Sequence, residues 1–315
     1  MNGWAGLSSS GPWHAAFLYA SPGQLGAAAA EVMAGDASAT LIVAAEPSLS
    51  VLRDRLDGRG KRVTWADMSD LGLNPGRLIP AFRVFADEHP DGAVWCVQEP
   101  AWPGRSRAEL DEVIRHEALV NLAFAGSRVR VLCPYAVGLG DEVITRVERT
   151  HPVVVRDGQA LRSASYAAPG LILQECDRPL SRPPVDAVSL SYRDQLSAVR
   201  RFAAEGARRA GLPPERVIDL VLAVSELAAN TMAHTVGQGL VRLWAAGGEF
   251  ICQIDDAGQL ADPLAGRLRP DPTAPGGSRG LWMVQQVCDL VEVRAGAAGT
   301  SIRLHMRLSG VPAWS

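Results

Sequence analysis

Val224-Ser225-Glu226-Leu227-Ala228-Ala229-Asn230-Thr231-Met232-Ala233-His234-Thr235 is the stretch on which the reading of the fold turns. Val221, Val224 and Leu227 recur at three-residue intervals, the spacing of an α-helix with one face in a core. Glu226, Asn230 and His234 lie four residues apart, so a carboxylate, a carboxamide and an imidazole stack one above the other beside that stripe. By itself such a short polar pattern is most often a solvated helix edge. Three segments nearer the C-terminus give it a different meaning.

Ile251-Cys-Gln-Ile-Asp-Asp-Ala-Gly258 has the character of a buried strand entering a turn. Gly276-Gly-Ser-Arg-Gly-Leu-Trp-Met-Val284 is a glycine-rich segment opening a helix, and Gly299-Thr300 precedes a strand in which Ile302, Leu304, Met306 and Leu308 alternate with polar residues. The order and spacing of these pieces resemble the ATP site of the GHKL superfamily, which includes gyrase, heat-shock chaperone, histidine kinase and mismatch-repair ATPases. Within it the helix is most similar to that of the anti-sigma-factor serine kinases.

The resemblance implies an ATP and Mg²⁺ site with assigned roles. Glu226 matches the proton acceptor of the resembling kinases, and Asn230 the residue that gives Mg²⁺ a carbonyl oxygen. Asp256 matches the aspartate that reads the adenine amine, followed by Gly258; Asp255 is its rival, on the opposite face if the strand persists. Gly276, Gly277, Arg279 and Gly280, with Leu281 next in the helix, match the loop that approaches phosphate. There glycines permit close backbone contact and a helix N-terminus favours an anion. Thr300 matches a hydroxyl near the adenine aspartate, and His234-Thr235 the ending of the first helix. One departure stands out: the second glycine of the family's Asp-x-Gly-x-Gly falls at Leu260.

Composition bounds the alternatives. The chain has 315 residues, 47% hydrophobic and 21% charged, with a net charge of -3, which gives no electrostatic footprint for nucleic acid or an anionic membrane. No apolar run reads as long enough to span a bilayer, and Met1 to Ser10 lacks a signal-peptide layout, so a cytoplasmic protein is expected. Five scattered cysteines, mostly within apolar segments, read as reduced core residues, and no His/Cys group has metal-site spacing. The single lysine, Lys61, is followed by Arg62, which excludes a Walker-type Gly-Lys-Ser/Thr.

From about Ala15 to Val155, short β-rich runs at 40–45, 94–97 and 129–133 alternate with helical patterns at 49–56, 76–89 and 106–124. Such alternation implies crossover connections and a mostly parallel sheet covered on both faces. His14-Ala-Ala-Phe-Leu-Tyr19, Asn74-Pro75, Glu99-Pro-Ala-Trp-Pro-Gly-Arg105 and Arg115-His-Glu-Ala-Leu-Val-Asn121 resemble the MEDS sensory domain of bacterial one-component regulators. That resemblance implies a RecA-like three-layer α/β fold without its P-loop. Glu99, Trp102, Arg105 and His116 are then the candidate sensory-ligand residues, near the C-terminal end of a strand.

The prolines of Asp177 to Pro184 break regular structure and mark a linker. The expected division is a sensory domain over 1–178, a linker over 179–190 and, over 191–315, a GHKL two-layer α/β sandwich that opens on helices 191–210 and 213–235. None of the six histidines lies between Pro152 and Ala233, so the helix before the ATP segment lacks the phosphoacceptor of a histidine kinase. Length and lysine content also exclude a gyrase-like transducer domain. The resemblance then implies an anti-sigma factor with serine kinase activity, partnered by a sigma factor, a STAS-type anti-anti-sigma protein or both, with homodimerisation open. The alternative is a nucleotide-binding switch module without phosphotransfer, which Leu260 favours.

Overall fold

Short β-branched runs bounded by turns build the first sheet of the computed structural model, which describes residues 13–34, 38–56, 63–235, 238–270 and 279–308. By contact density the chain forms two compact units, Met1–Leu173 and Gln174–Ser315.

In the first unit, β1 (Trp13–Tyr19), α1 (Pro22–Ala34), β2 (Ala39–Ala44), α2 (Ser48–Leu56), β3 (Val63–Asp67), α3 (Met68–Leu71), α4 (Leu78–Glu88), β4 (Val94–Gln98), α5 (Arg107–Ala123), β5 (Val129–Ala136), α6 (Asp141–Thr150), β6 (Val153–Arg156) and β7 (Gln159–Arg162) succeed one another. The sheet order is β3-β2-β4-β5-β1-β6-β7, parallel throughout except for β7 at the edge. Alternation along each strand assigns its two faces. Ala15, Phe17 and Tyr19 of β1 pack with Leu25 of α1 and Leu49 and Leu52 of α2, while His14, one residue out of phase, meets Glu117 and Asn121 of α5. Helices therefore cover both faces, as the sequence implied. A reciprocal capping box between Ser106 and Glu109 fixes the start of α5.

α7 (Pro169–Cys176) precedes β8 (Val188–Tyr192), α8 (Leu196–Arg209), α9 (Pro214–His234), β9 (Gly239–Ala246), β10 (Glu249–Asp256), α10 (Arg279–Val287), β11 (Leu290–Gly296) and β12 (Gly299–Arg307). These strands form an antiparallel sheet in the order β11-β12-β10-β9-β8. Val199 and Ala203 of α8, Leu220, Val224 and Leu227 of α9, and Leu281 and Val284 of α10 share one core with Val241, Cys252, Ile254, Leu304 and Met306 of the sheet. This is the two-layer sandwich expected.

Two expectations are corrected. The helix read from Ser191 begins at Leu196, because Val188-Ser-Leu-Ser-Tyr192 alternates with the period of a strand and pairs with β9. And an apolar run of membrane-spanning length does exist: α9, alone among the described residues, meets that criterion by length and composition. Its Val217, Leu220, Val224, Leu227 and Ala228 are buried in the sandwich core, which accounts for its apolar character.

Candidate functional site

α9 sets the site. Val217, Leu220, Val224, Leu227, Ala228 and Thr231 form its buried stripe, and Glu226, Asn230 and His234 run along the flank of that stripe, as their spacing required. Across from them begins α10, whose Gly280 presses against α9. A Cβ at this glycine would stand 2.7 Å from Glu226 Oε2, 3.4 Å from Glu226 Cβ and 3.6 Å from Asn230 Nδ2. The helix start and the two polar residues, distant in the chain, therefore touch. Arg279 is exposed at the same helix start, while Leu281 is buried. Gly276 and Gly277, the remaining loop positions, lie outside the described residues.

Beside this contact opens a cavity of about 450 Å³, lined among the described residues by Asn230, His234 and Thr235 at the end of α9, Asp256 at the end of β10, Gly258 and Leu260 after it, Leu281, and Thr300. That volume lies within the range of ordinary small-ligand sites. Most of its wall is apolar, supplied by Leu227, Ile254, Leu260, Ala265, Leu281 and Ile302, which suits a flat heterocycle. Leu260, where the family pattern has glycine, packs against the core as part of that wall.

The rivalry between the two aspartates is decided by strand alternation. Phe250, Cys252, Ile254 and Asp256 face the helices, while Gln253 and Asp255 face the other way. Asp255 is engaged there by Arg242, by Gln253 Nε2 at 2.8 Å and by the Ser301 hydroxyl at 2.5 Å. Asp256 is held in the cavity wall by local and long-range donors. The Gly258 N-H reaches Oδ1 at 2.8 Å, closing an Asx turn, and the Thr231 hydroxyl reaches Oδ2 at 2.7 Å. The Tyr192 hydroxyl donates to Thr231 Oγ1 at 3.0 Å, and burial pushes the Tyr192 phenol up, keeping it protonated. The relay leaves further Asp256 lone pairs to accept from a ligand.

Thr300 stands opposite Asp256 in the β10-β12 register, and its hydroxyl donates to the Gly258 carbonyl at 2.8 Å. Gly299 before it has φ +122, and a Cβ there would lie 2.1 Å from the Asp256 carbonyl oxygen, so only glycine fits. Tyr192 and Thr231 support Asp256 from behind the candidate site, and no sequence motif marked them. Thr231 carries a signal in hindsight: it falls on the apolar stripe four residues after Leu227, and a buried hydroxyl needs a partner.

In the first unit the four candidate ligand residues are engaged differently. Arg105 stacks over Trp102 at 3.7 Å and donates to the carbonyls of Gly72 at 2.6 Å and Leu73 at 3.2 Å. Glu99 accepts from the Tyr19 hydroxyl, and burial raises its carboxyl to about 7. His116 meets Gln98 Oε1 through Nε2 at 3.0 Å. The expectation that no His/Cys group has metal-site spacing holds only along the chain. In space, His14, Glu117, Cys133 and His151 converge, with ligand atoms all within 4.8 Å of one another.

Two family models match the chain: the histidine kinase-like ATPase domain over residues 190–306 and MEDS, the methanogen/methylotroph, DcmR sensory domain, over residues 13–152. No curated protein matches it. Among solved structures, the RsbU and RsbW domains of Rv1364c from Mycobacterium tuberculosis are 22% identical, with a TM-score of 0.31, over 42% of this chain and 36% of that one. The SiaB-SiaC complex from Pseudomonas aeruginosa is 10% identical, with a TM-score of 0.30, over 38% of this chain and 88% of that one. This chain thus spans little more than a third of the length of the mycobacterial protein's solved chain. Residues 190–306 belong to the histidine kinase-like ATPase domains of the GHKL type, and residues 13–152 to the MEDS sensory domains.

Proposed function

We propose that this chain is a cytoplasmic partner-switch regulator, an anti-sigma factor whose ATP-Mg²⁺-dependent kinase segment phosphorylates a serine on a STAS-type anti-anti-sigma protein. The observation that carries the reading is the contact of Gly280 with Glu226 and Asn230 at the rim of a cavity walled by Asp256. Bound ATP-Mg²⁺ would supply the γ-phosphoryl group; the chain's own residues bind, orient and move a proton. Asp256, fixed by Thr231 and the Gly258 N-H, accepts the adenine amine. Asn230 offers its side-chain carbonyl to Mg²⁺, which takes few protein ligands. The start of α10, with Arg279 and Gly280, faces phosphate with backbone N-H groups and one guanidinium. Glu226 takes the proton of the attacking serine hydroxyl, the role of a positioned base in phosphoryl transfer.

Residues 1–178 act as the sensory part and 191–315, together with the start of β8 at Val188, as the switch, the rest of 179–190 serving as the linker, with no direct contact to nucleic acid or membrane. The serine acceptor is inferred from the histidine-free stretch ahead of α9. A second reading has a specific observation behind it: Leu260 forms part of the cavity wall where the wider family has glycine, which favours a module that holds nucleotide without turnover. Incubation with γ-labelled ATP and a candidate anti-anti-sigma protein separates the two. Transfer that disappears in Glu226→Gln, with ATP affinity within about threefold of wild type, supports the kinase. Unchanged ATP binding with no transfer by the wild-type chain refutes it.

A further inference from the structure

Glu117 of α5 is fully buried in the first unit, and groups from three other segments surround its carboxylate. His14 of β1 brings Nε2 to 2.9 Å from Glu117 Oε2. His151, just after α6, brings Nε2 to 3.4 Å. Cys133 Sγ of β5 lies 3.4 Å from the same oxygen and 3.5 Å from His14 Nε2. Tetrahedral bonds of about 2.0 Å to nitrogen or oxygen and about 2.3 Å to sulfur place neighbouring ligand atoms roughly 3.3–3.6 Å apart. Three of these spacings fall in that range and the fourth is slightly shorter.

The protons of both rings are fixed from outside the cluster. Asn121 Nδ2 donates to the carbonyls of Glu117 at 3.0 Å and Thr150 at 2.9 Å. Its oxygen therefore faces His14 Nδ1, at 3.1 Å, and that nitrogen must donate. His151 Nδ1 donates to the Val147 carbonyl at 2.8 Å. In the neutral rings, both Nε2 atoms are left with lone pairs aimed at a carboxylate oxygen that also has only lone pairs to offer. His151 Nε2 is buried with no hydrogen-bond partner. The ring centroids lie 4.1 Å apart, so protonating both sets two cations against each other. Ring nitrogens anchored by outer carbonyl oxygens, with the opposite nitrogens converging, are the arrangement that orients histidine toward a metal.

We propose that His14 Nε2, Glu117 Oε2, Cys133 Sγ and His151 Nε2 form a closed tetrahedral site for a divalent cation of the zinc class. On binding, the Cys133 thiol proton leaves to solvent and the sulfur-metal bond forms. One thiolate, one carboxylate and a dication sum to zero charge, which suits four side chains between 0% and 3% exposed. Tyr135 Oη donates to the other carboxylate oxygen, Oε1, at 2.5 Å, which leaves Oε2 as the ligand oxygen, while Gln98 Nε2 reaches both oxygens, Oε1 at 3.4 Å and Oε2 at 3.3 Å. With all four positions supplied by the protein, the site is structural rather than catalytic. It joins β1, α5, β5 and the end of α6.

The test uses the full chain, stripped with chelator and titrated with Zn²⁺ and Co²⁺. Expected are one ion per chain, the visible bands of tetrahedral cobalt, and a near-ultraviolet thiolate-to-cobalt band. Cys133→Ser should lose the thiolate band, and His151→Gln should bind at least about tenfold more weakly. His89→Gln, whose ring meets the Phe85 carbonyl instead, should change neither. If His151→Gln does not fold, Cys133→Ser decides. A folded stripped chain that takes up neither ion at stoichiometric concentration overturns the site, as does a cobalt spectrum that Cys133→Ser leaves unchanged.

Discussion

Replacing Gly280 with alanine separates the stability of the ATPase segment from its chemistry. The new Cβ would stand 3.4 Å from Glu226 Cβ, an ordinary contact, so α9 and α10 keep their spacing. It would also stand 2.7 Å from Glu226 Oε2, and that carboxylate oxygen must retreat by about 0.7 Å to reach 3.4 Å. The oxygen is the far end of a flexible side chain, so the movement is cheap for the fold. Alanine in a helix is better than glycine by roughly 0.5–1 kcal/mol, so Gly280→Ala should unfold in urea at the wild-type midpoint or slightly above it. Its effect on transfer is opposite in sign. A misplacement of about 1 Å at a reacting group costs on the order of a hundredfold, so a shift somewhat smaller should lower turnover by tens of fold. The assay pairs equilibrium urea unfolding with turnover of γ-labelled ATP by the same preparation. A folded Gly280→Ala chain with turnover within about twofold of wild type would refute the placement of Glu226 at the reacting phosphate. A stability loss above about 2 kcal/mol would show instead that the carboxylate cannot turn aside, since overpacking of a rigid contact costs about 1–3 kcal/mol.

Thr231→Val keeps the shape of a buried side chain but removes the donor to Asp256 and the acceptor of Tyr192. It should cost about 2 kcal/mol of stability and about tenfold in nucleotide affinity by calorimetry, whereas Tyr192→Phe should cost about 1 kcal/mol and leave affinity within about threefold. Gly239→Ala brings a Cβ within 2.4 Å of the Tyr192 ring, which is 2% exposed and cannot retreat, so a loss of about 3 kcal/mol is expected in the urea midpoint. Burial pulls the His305 imidazole down, but hydrogen bonds to Glu249 and Glu292 outweigh it and raise the group to about 9 from 6.5. A raised folded value means the contribution is complete below pH 6.5 and lost as pH climbs to about 9, worth at most about 3 kcal/mol. Urea midpoints of the wild type and His305→Gln should therefore converge across that window, and a constant difference would refute it. Glu99, raised to about 7 mainly by burial, acts at lower pH: its carboxyl is favoured protonated, so stability falls between pH 4.5 and 7, and Glu99→Gln should flatten that fall.

The residue order alone determined the type of the strongly periodic elements and one face of the site. Period 3.6 in α9 put Glu226, Asn230 and His234 on one edge, because spacing along a helix is a local property that no partner alters. Period 2 in β10 separated Asp255 from Asp256 in the same way, although which of the two met the helices waited on the packing. Where local signals competed, the pattern misled: a proline-rich approach hid the alternation of β8, and the hydroxyl of Thr231 was lost in an apolar stripe. The tertiary structure decided the meetings between distant segments. Gly280 against Glu226, Tyr192 through Thr231 to Asp256, and Thr300 opposite Asp256 depend on sheet register and helix packing. His14, Glu117, Cys133 and His151 show this most plainly. They come from two strands, a helix and the end of another, so no spacing along the chain encodes their approach, and only the closure of α5 over the sheet brings their atoms within 4.8 Å.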